Sequence, residues 1–308
     1  DGVQHNVRAT RTCPDDRTQT SVDPITITIE EPMRRHLIQV SDRFGLAADL
    51  HYTAMSPAIE EPRFLHVVGN RTRMDYTRLT QFGRWSGWIE LDGERIEIDQ
   101  THVGVRDRSW GIRPVGEQPT APSAAPQFFW IWCPTVFEDR CTHFALNHEA
   151  DGRVWHQSGA VVPRLEDGEP VIDPGRVQRG ESATIDVEWG QGTRWARSLT
   201  TRLGLWNCEP LEVTYEPLVR FQMSGIGYLH PEWGHGKWRG EADATRDKIV
   251  LDEIDPLSGK YVHIQALSRA RCGTQKGMGV VEQLILGPHE PTGLAGVLEG
   301  AGSSSPQN

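Results

Sequence analysis

Apolar and polar residues alternate along most of this chain. Ile25, Ile27 and Ile29 alternate with Thr26 and Thr28, and Leu46, Ala48, Leu50 and Tyr52 share one face of the next extended segment. A period of two puts successive side chains on opposite faces of a strand. Ile89 and Leu91 run into Asp92-Gly93, with Ile96 and Ile98 beyond, and an Asp-Gly link between alternating segments predicts a hairpin. The same logic predicts a hairpin from Phe144, Leu146 and His148 through Asp151-Gly152 to Val154 and His156. Another runs from Ile185, Val187 and Trp189 through Gly190-Gln191-Gly192 to Trp195. A further pair is expected from Ile249 and Leu251 through the turn residues Pro256 to Gly259 to Val262 and Ile264. No window of about a dozen residues keeps the i, i+3, i+4, i+7 spacing of a helix; even Leu199 to Leu205 is short and contains Gly204. The expectation is an all-β protein, an antiparallel meander of hairpins closing into barrels or sandwiches.

A length of 308 residues accommodates two domains or one large one. Gly116 to Gln127, rich in Pro, Ala and Ser and without periodicity, is a linker candidate that sets a boundary near residue 125. Residues 1–125 and 126–299 are therefore expected to form two β-barrels in tandem, with 300–308 a Gly/Ser-rich disordered tail. The chain opens at Asp1 without an initiator Met, and its polar start through Thr20 offers the first barrel few strands, so an N-terminally incomplete barrel is part of the expectation. The net charge of -10 has no compensating basic tract, which argues against a nucleic-acid partner. No apolar run approaches the ~18 residues of a membrane span, so no integral membrane segment is expected. The five cysteines (Cys13, Cys133, Cys141, Cys208, Cys272) form neither a disulfide framework nor a zinc spacing, which points to a reducing, cytoplasmic compartment. The 11 Trp suggest large apolar cavities or heavily packed sheets.

Several segments carry groups capable of chemistry. In Val103 to Arg113, extended geometry sends Val105, Asp107 and Ser109 one way and Arg106, Arg108 and Trp110 the other. An acid at a barrel mouth among aromatic walls would have its pKa raised by desolvation and act as a proton donor; alternatively Asp107 satisfies turn amides and the arginines pair with surface acids. Gln127 to Pro134 includes Phe128, Phe129, Trp130, Ile131 and Trp132, aromatics on both faces of one strand, hence a strand buried twice. Its indoles either hold a cationic intermediate or pack one domain on the other, and Cys133 is expected to be a small buried hydrophobe. The glycine-rich run Gly225 to Glu241 brings His230, Trp233, His235, Trp238 and Glu241 into a constrained loop, a ligand-approaching site or a tight solvated hairpin. Convergence of His230, His235 and Glu241 on a metal is the weaker alternative, because their spacing matches no ligand pattern, and no metal is expected. Gly273 to Gly279 lacks the spacing of either phosphate motif and is followed by an apolar strand, which excludes a dinucleotide site. Glu282 within that strand is expected to face solvent.

Asp107-Arg108-Ser109-Trp110-Gly111 resembles the Asp-x-x-Trp-Gly signature of the carotenoid hydratase (hydroxyneurosporene synthase) and AttH-like superfamily. The segments Trp233 to Glu241 and Gly279 to His289 look like those of an uncharacterised bacterial branch of it, and the resemblance spans roughly residues 60 to 295. It implies two tandem lipocalin-like barrels. It also implies a cofactor-free activity on a hydrophobic small molecule, because superfamily members include hydratases of isoprenoid double bonds and polyene cyclases. By resemblance, Asp107 is the acid and Trp110 the signature aromatic. Arg108 stands where the hydratases tend to have His, and with Arg106 it would lower the Asp107 pKa unless both side chains leave the cavity.

The resulting expectation is a hydratase or dehydratase, a lyase acting on an isoprenoid-like alkene without cofactor. Asp107 protonates the alkene; Trp110 with Trp130 or Trp132 stabilises the cation; His235 or Glu241 orients water; Arg108, Trp233 and Trp238 complete the substrate site. The alternatives are a non-catalytic carrier of apolar ligands, recognised by a cavity without converging ionisable groups, and a cofactor-free cyclase or isomerase acting by shape.

Overall fold

The alternating segments form strands almost wherever the period of two is sustained. The computed structural model describes residues 2–115 and 126–302, and among them every helical turn is of the short 3-10 kind. The boundary expected near residue 125 lies outside the described residues.

The first strand, β1 (Val3–Arg11), is followed by a sheet built from β2 (Ser21–Val22), β3 (Ile25–Glu31), β4 (Arg35–Val40), β5 (Leu46–Ala54), β6 (Ile59–Glu60), β7 (Phe64–Val68), β8 (Arg71–Leu91), β9 (Glu94–Ile98) and β10 (Val103–Ile112). Its order is β10-β8-β5-β4-β3-β2, with β6, β7 and β9 paired to the long strand β8. The sheet curls but does not close, because β10 and β2 remain edges. The Asp92-Gly93 hairpin forms between β8 and β9, with both turn residues at positive φ (50° and 89°) as a two-residue type I′ link requires.

The remaining strands are β11 (Phe128–Trp132), β12 (Thr135–Val136), β13 (Arg140–His148), β14 (Val154–Pro163), β15 (Gln178–Trp189), β16 (Ala196–Leu205), β17 (Leu211–Gln222), β18 (Ala242–Val250), β19 (His263–Cys272) and β20 (Gln275–Leu286). β11 and β12 act as one strand interrupted at Cys133-Pro134, both pairing with β13 and β20, and with β14 to β17 and β19 they close an eight-stranded lipocalin-like barrel. The inward residues of these strands, among them Phe129, Ile131, Phe144, Leu146, Leu199, Tyr215 and Ile285, pack into one continuous apolar core. Each such side chain stabilises by roughly 1.5–3 kcal/mol on burial. Cys133 is fully buried among them, as a small hydrophobe, and that burial pushes its thiol well above its ordinary pKa.

Three expectations are corrected. Ile249 and Ile264 do not belong to one hairpin: β18 pairs with β1 along its whole length, from Val3↔Val250 to Arg11↔Ala242, while β19 lies between β17 and β20. The polar start of the chain is therefore a strand, and its inward face is polar as well. Gln4, Asn6 and Arg8 are buried; Gln4 exchanges hydrogen bonds with the Gln222 backbone (2.7 and 3.0 Å), and Arg8 donates to the Ser224 carbonyl (2.6 Å) and pairs with Asp247 (2.6 Å). Finally, Ala301 of the expected disordered tail exchanges backbone hydrogen bonds with Thr193 and Gly192 (2.9 and 3.1 Å); residues 303–308 lie outside the described residues.

The curled sheet docks on the outer wall of the closed barrel. Met55, Ile59 and Phe82 meet Cys141, Ala160 and Val162 on one side, and Phe64 and Tyr76 meet Trp130, Trp132 and Ala145 on the other. Between the two patches lies a buried ion cluster. The Arg78 guanidinium forks onto Glu61 (Nε to Oε1 2.7 Å, Nη2 to Oε2 2.8 Å), Thr80 donates to the same carboxylate at 2.7 Å, and His143 of the barrel approaches it at 3.4 Å. The guanidinium also lies 4.8, 5.2 and 5.3 Å from the ring centroids of Trp130, Trp132 and Phe64. Burial alone would raise the Glu61 pKa, but the opposing charge of Arg78, and then His143, holds it well below the usual carboxylate range.

Removing one partner of such a pair leaves an uncompensated buried charge at a cost of about 3–5 kcal/mol. Glu61→Gln should therefore lower unfolding stability by that amount in urea titration, and adding Arg78→Met should recover a large part of it. A double variant no more stable than Glu61→Gln would contradict the coupling.

Two buried histidines give a second prediction. His156 stacks on Phe64 (3.5 Å between centroids) and His289 on Phe129 (3.8 Å). Burial pushes each pKa down to about 4, for His289 with a smaller contribution from His148. The unfolded chain binds these protons first, so stability is complete above about pH 6.5 and falls toward pH 4, each histidine adding a slope approaching about 1.4 kcal/mol per pH unit. Urea midpoints between pH 7 and 4.5 should decline, and His289→Gln should decline less steeply than the parent protein.

Candidate active site at the seam between the sheets

The barrel interior is filled, so the hollow lies outside it. A cavity of about 580 Å³ opens between the barrel's outer wall, the curled sheet and the 223–237 loop. The period of two decides which side chains reach it: on β11, Phe129 and Ile131 fill the barrel while Trp130 and Trp132 point outward, and on β20, Val281 and Ile285 point in while Glu282 and Leu284 point out. The curled sheet contributes Met74, Tyr76, Arg78 and Asp107; Arg113 follows the end of β10; Tyr228, His230 and His235 come from the loop.

Three carboxyl groups stand at or beside this cavity in different surroundings. Glu61 is locked to Arg78 behind the wall. Glu282, expected to face solvent, is instead buried: Oε1 accepts from Trp130 Nε1 (2.9 Å) and His263 Nε2 (3.1 Å), and Oε2 accepts from Gln265 Nε2 (2.6 Å). Burial would raise its pKa, but these donors and the charge of His263 bring it down to about 2. Asp107 makes no hydrogen bond among the described residues. Its side chain is exposed where it borders the cavity, and the protein crowded around the carboxyl still raises its pKa by desolvation. Arg78 opposes the rise, and the negative charges of Glu282 and Glu61 add to it.

The arginines flanking Asp107 in sequence do leave the cavity. Arg106 points to the opposite face of β10, where it meets His36 and the Met33 thioether, and Arg108 is exposed. The cations that act on Asp107 are Arg78, which faces Ser109 across the β8–β10 ladder, one inward position along from Thr80 and Asp107, and, with a smaller effect, Arg113.

The structure brings Asp107, Trp130, Trp132 and His235 to the cavity and leaves the other expected site residues outside it. Trp110, 50% exposed, and Arg108 lie on the opposite face of β10, as period two dictates. Trp238 is 72% exposed on the loop surface. Trp233 lines a second hollow of about 450 Å³ between the loop and β1, with Arg239 4.7 Å from its ring centroid. Glu241 is exposed, and its carbonyl accepts from Thr12 N–H at 2.8 Å. Among the described residues no three His, Cys, Asp or Glu side chains are grouped to hold a metal. His235 donates through Nε2 to the Ile226 carbonyl at 2.7 Å, a bond that fixes its ring against Tyr228.

The glycine at position 111 has a local reason. Gly111 sits at φ 131°, and a Cβ there would lie 2.3 Å from the Asp75 carbonyl oxygen. Only glycine lets β10 follow β8 this closely while keeping Asp107 inward. Arg78, Glu282, His263, Gln265, Tyr76, Tyr228 and Arg113 were not singled out by sequence as site residues, except that Glu282 was noted as an acid within an apolar strand. That out-of-pattern acid was the one signal available.

No helix among the described residues is long and apolar enough to cross a membrane. No curated protein matches the sequence. Among solved structures, that of a "putative AttH" from Nitrosomonas europaea superposes with a TM-score of 0.50 at 12% identity, covering 86% of this chain and 69% of the other, a likeness of fold. Residues 1–295 match the model of a family of unknown function, DUF8625, and the chain belongs to that family.

Proposed function

We propose that the chain is an enzyme that adds water to, or removes it from, an alkene in a hydrophobic small molecule, with Asp107 as the acid. The observation that carries this reading is the contrast between two carboxyl groups on one cavity: among the described residues, Asp107 has no donor and Glu282 has three. Environments that push two carboxyl pKa values apart suit one group to donate a proton and the other to remain an anion. The cavity wall is otherwise largely apolar and aromatic, and ionisable groups converge on it, which favours an enzyme over a carrier. The signature resemblance around Asp107 and the AttH-like fold point the same way, although a fold alone does not fix chemistry.

In the hydration direction the Asp107 carboxylic acid transfers its proton to one alkene carbon, forming a C–H bond. The adjacent carbon becomes cationic, and the Glu282 carboxylate stabilises it. Water adds to that carbon, and its surplus proton returns to the Asp107 carboxylate, a better base than the strongly acidified Glu282. The sum is one water added and Asp107 restored; dehydration is the reverse. Trp130 and Trp132 are not the principal cation stabilisers, because each already has the Arg78 guanidinium over a ring face. They serve as walls, and no step needs a cofactor. A reducing, cytoplasmic setting accords with five cysteines that are all unpaired.

The test is turnover of isoprenoid alkenes in H₂¹⁸O, read by mass spectrometry. A labelled alcohol should form with the parent protein. Asp107→Asn should lose roughly 10²–10⁴-fold in kcat while still binding, and hydration by the parent should fall as pH rises through the elevated Asp107 pKa. Undiminished turnover by Asp107→Asn would remove Asp107 from the mechanism.

A further inference from the structure

Apart from Asp107, the charged side chains lining the cavity are nearly all committed. Arg78 gives Nε and Nη2 to Glu61, Glu282 takes three donors, and Lys237 donates to the Pro231 carbonyl. Arg113 differs. Its Nη1 donates to Ser109 Oγ at 2.6 Å and its guanidinium lies 4.5 Å from the Tyr76 ring centroid, yet among the described residues it makes no ion pair. It is a cation held in position with most of its N–H groups uncommitted among the described residues, at the wall of a largely apolar cavity.

We infer that the cavity takes an apolar molecule carrying one carboxylate, and that Arg113 receives that carboxylate. A guanidinium fixed by stacking and by a hydrogen bond loses little freedom on binding and presents a planar fork that matches a carboxylate. A wholly apolar ligand would leave this cation with only Ser109, the Tyr76 face and the more distant charge of Asp107 to offset its desolvation. The position also sets a length. Arg113 folds back onto Ser109, which shares its strand face with Asp107 two residues away, a spacing of about 7 Å. A carboxylate on Arg113 therefore places the carbon facing Asp107 several bonds along the ligand chain. This inference names the substrate class of the site proposed above and rests on that cavity being the substrate site.

The experiment compares citronellic acid, an isoprenoid acid whose alkene lies five bonds from the carboxyl carbon, with citronellol, its alcohol. Binding to the full chain is followed by calorimetry and by tryptophan fluorescence. The parent protein should prefer the acid by about tenfold or more, as expected for a charged hydrogen bond inside a cavity. Arg113→Gln should bind both within about threefold, and Ser109→Ala, which only loosens the guanidinium, should fall between. Asp107→Asn should keep the preference, which separates failure of this inference from failure of the acid mechanism. Equal affinity of the parent for both probes, binding of neither, or a preference surviving Arg113→Gln would overturn it.

Discussion

The fork between Arg78 and Glu61 is the interaction on which the rest of the site depends. A guanidinium and a carboxylate removed from water cost several kcal/mol each unless geometry and extra hydrogen bonds compensate. Here the fork is bidentate, Thr80 supplies a further donor, and three aromatic rings surround the cation. Arg78 comes from the curled sheet and two of its stacked rings, Trp130 and Trp132, come from the barrel, so the cluster fixes how the two sheets meet. It also sets the chemistry of its neighbour. Desolvation is the largest influence at Asp107; Arg78 draws its pKa down, and the Glu61 carboxylate paired with Arg78 offsets part of that pull.

Most of the local architecture was legible in the sequence, because a hairpin is written in adjacent residues. Asp92-Gly93, Asp151-Gly152 and Gly190 to Gly192 all lie between paired strands. Pairings set by distant partners were not. β1 was invisible because its buried face is polar: Gln4 and Arg8 reach backbone groups more than 200 positions away, and Asn6 accepts from Gln4. The Ile249–Ile264 hairpin failed for the same reason: once β1 occupies β18, the segment 251–262 becomes a crossover with its own 3-10 turns.

The candidate site divides similarly. Alternation placed Asp107 and Trp110 on opposite faces, and the structure keeps them there, which removes Trp110 from the cavity through the very rule that predicts the strand. Aromatics on both faces of β11 did mark a strand buried twice, between the barrel core and the docked sheet. Glu282 and His263 could not be paired by eye, since their meeting depends on the β19–β20 ladder and on the curled sheet that covers it. Arg113 sits one residue beyond the strand that carries the signature, where periodicity ends and its direction cannot be inferred.

A filled barrel has a consequence for where chemistry can occur. Lipocalin-like barrels offer an interior, but Phe129, Phe144, Leu146 and Tyr215 occupy this one, and the barrel becomes a rigid floor rather than a container. The cavity is then a product of docking: the floor supplies Glu282, His263 and the indoles, the curled sheet supplies Asp107 and Arg78, and Arg113 follows from it. Neither half holds both carboxyl groups. The raised pKa of Asp107 is therefore a property of the assembled seam, and a loosening of that seam that admits water would acidify Asp107 before it unfolded either sheet.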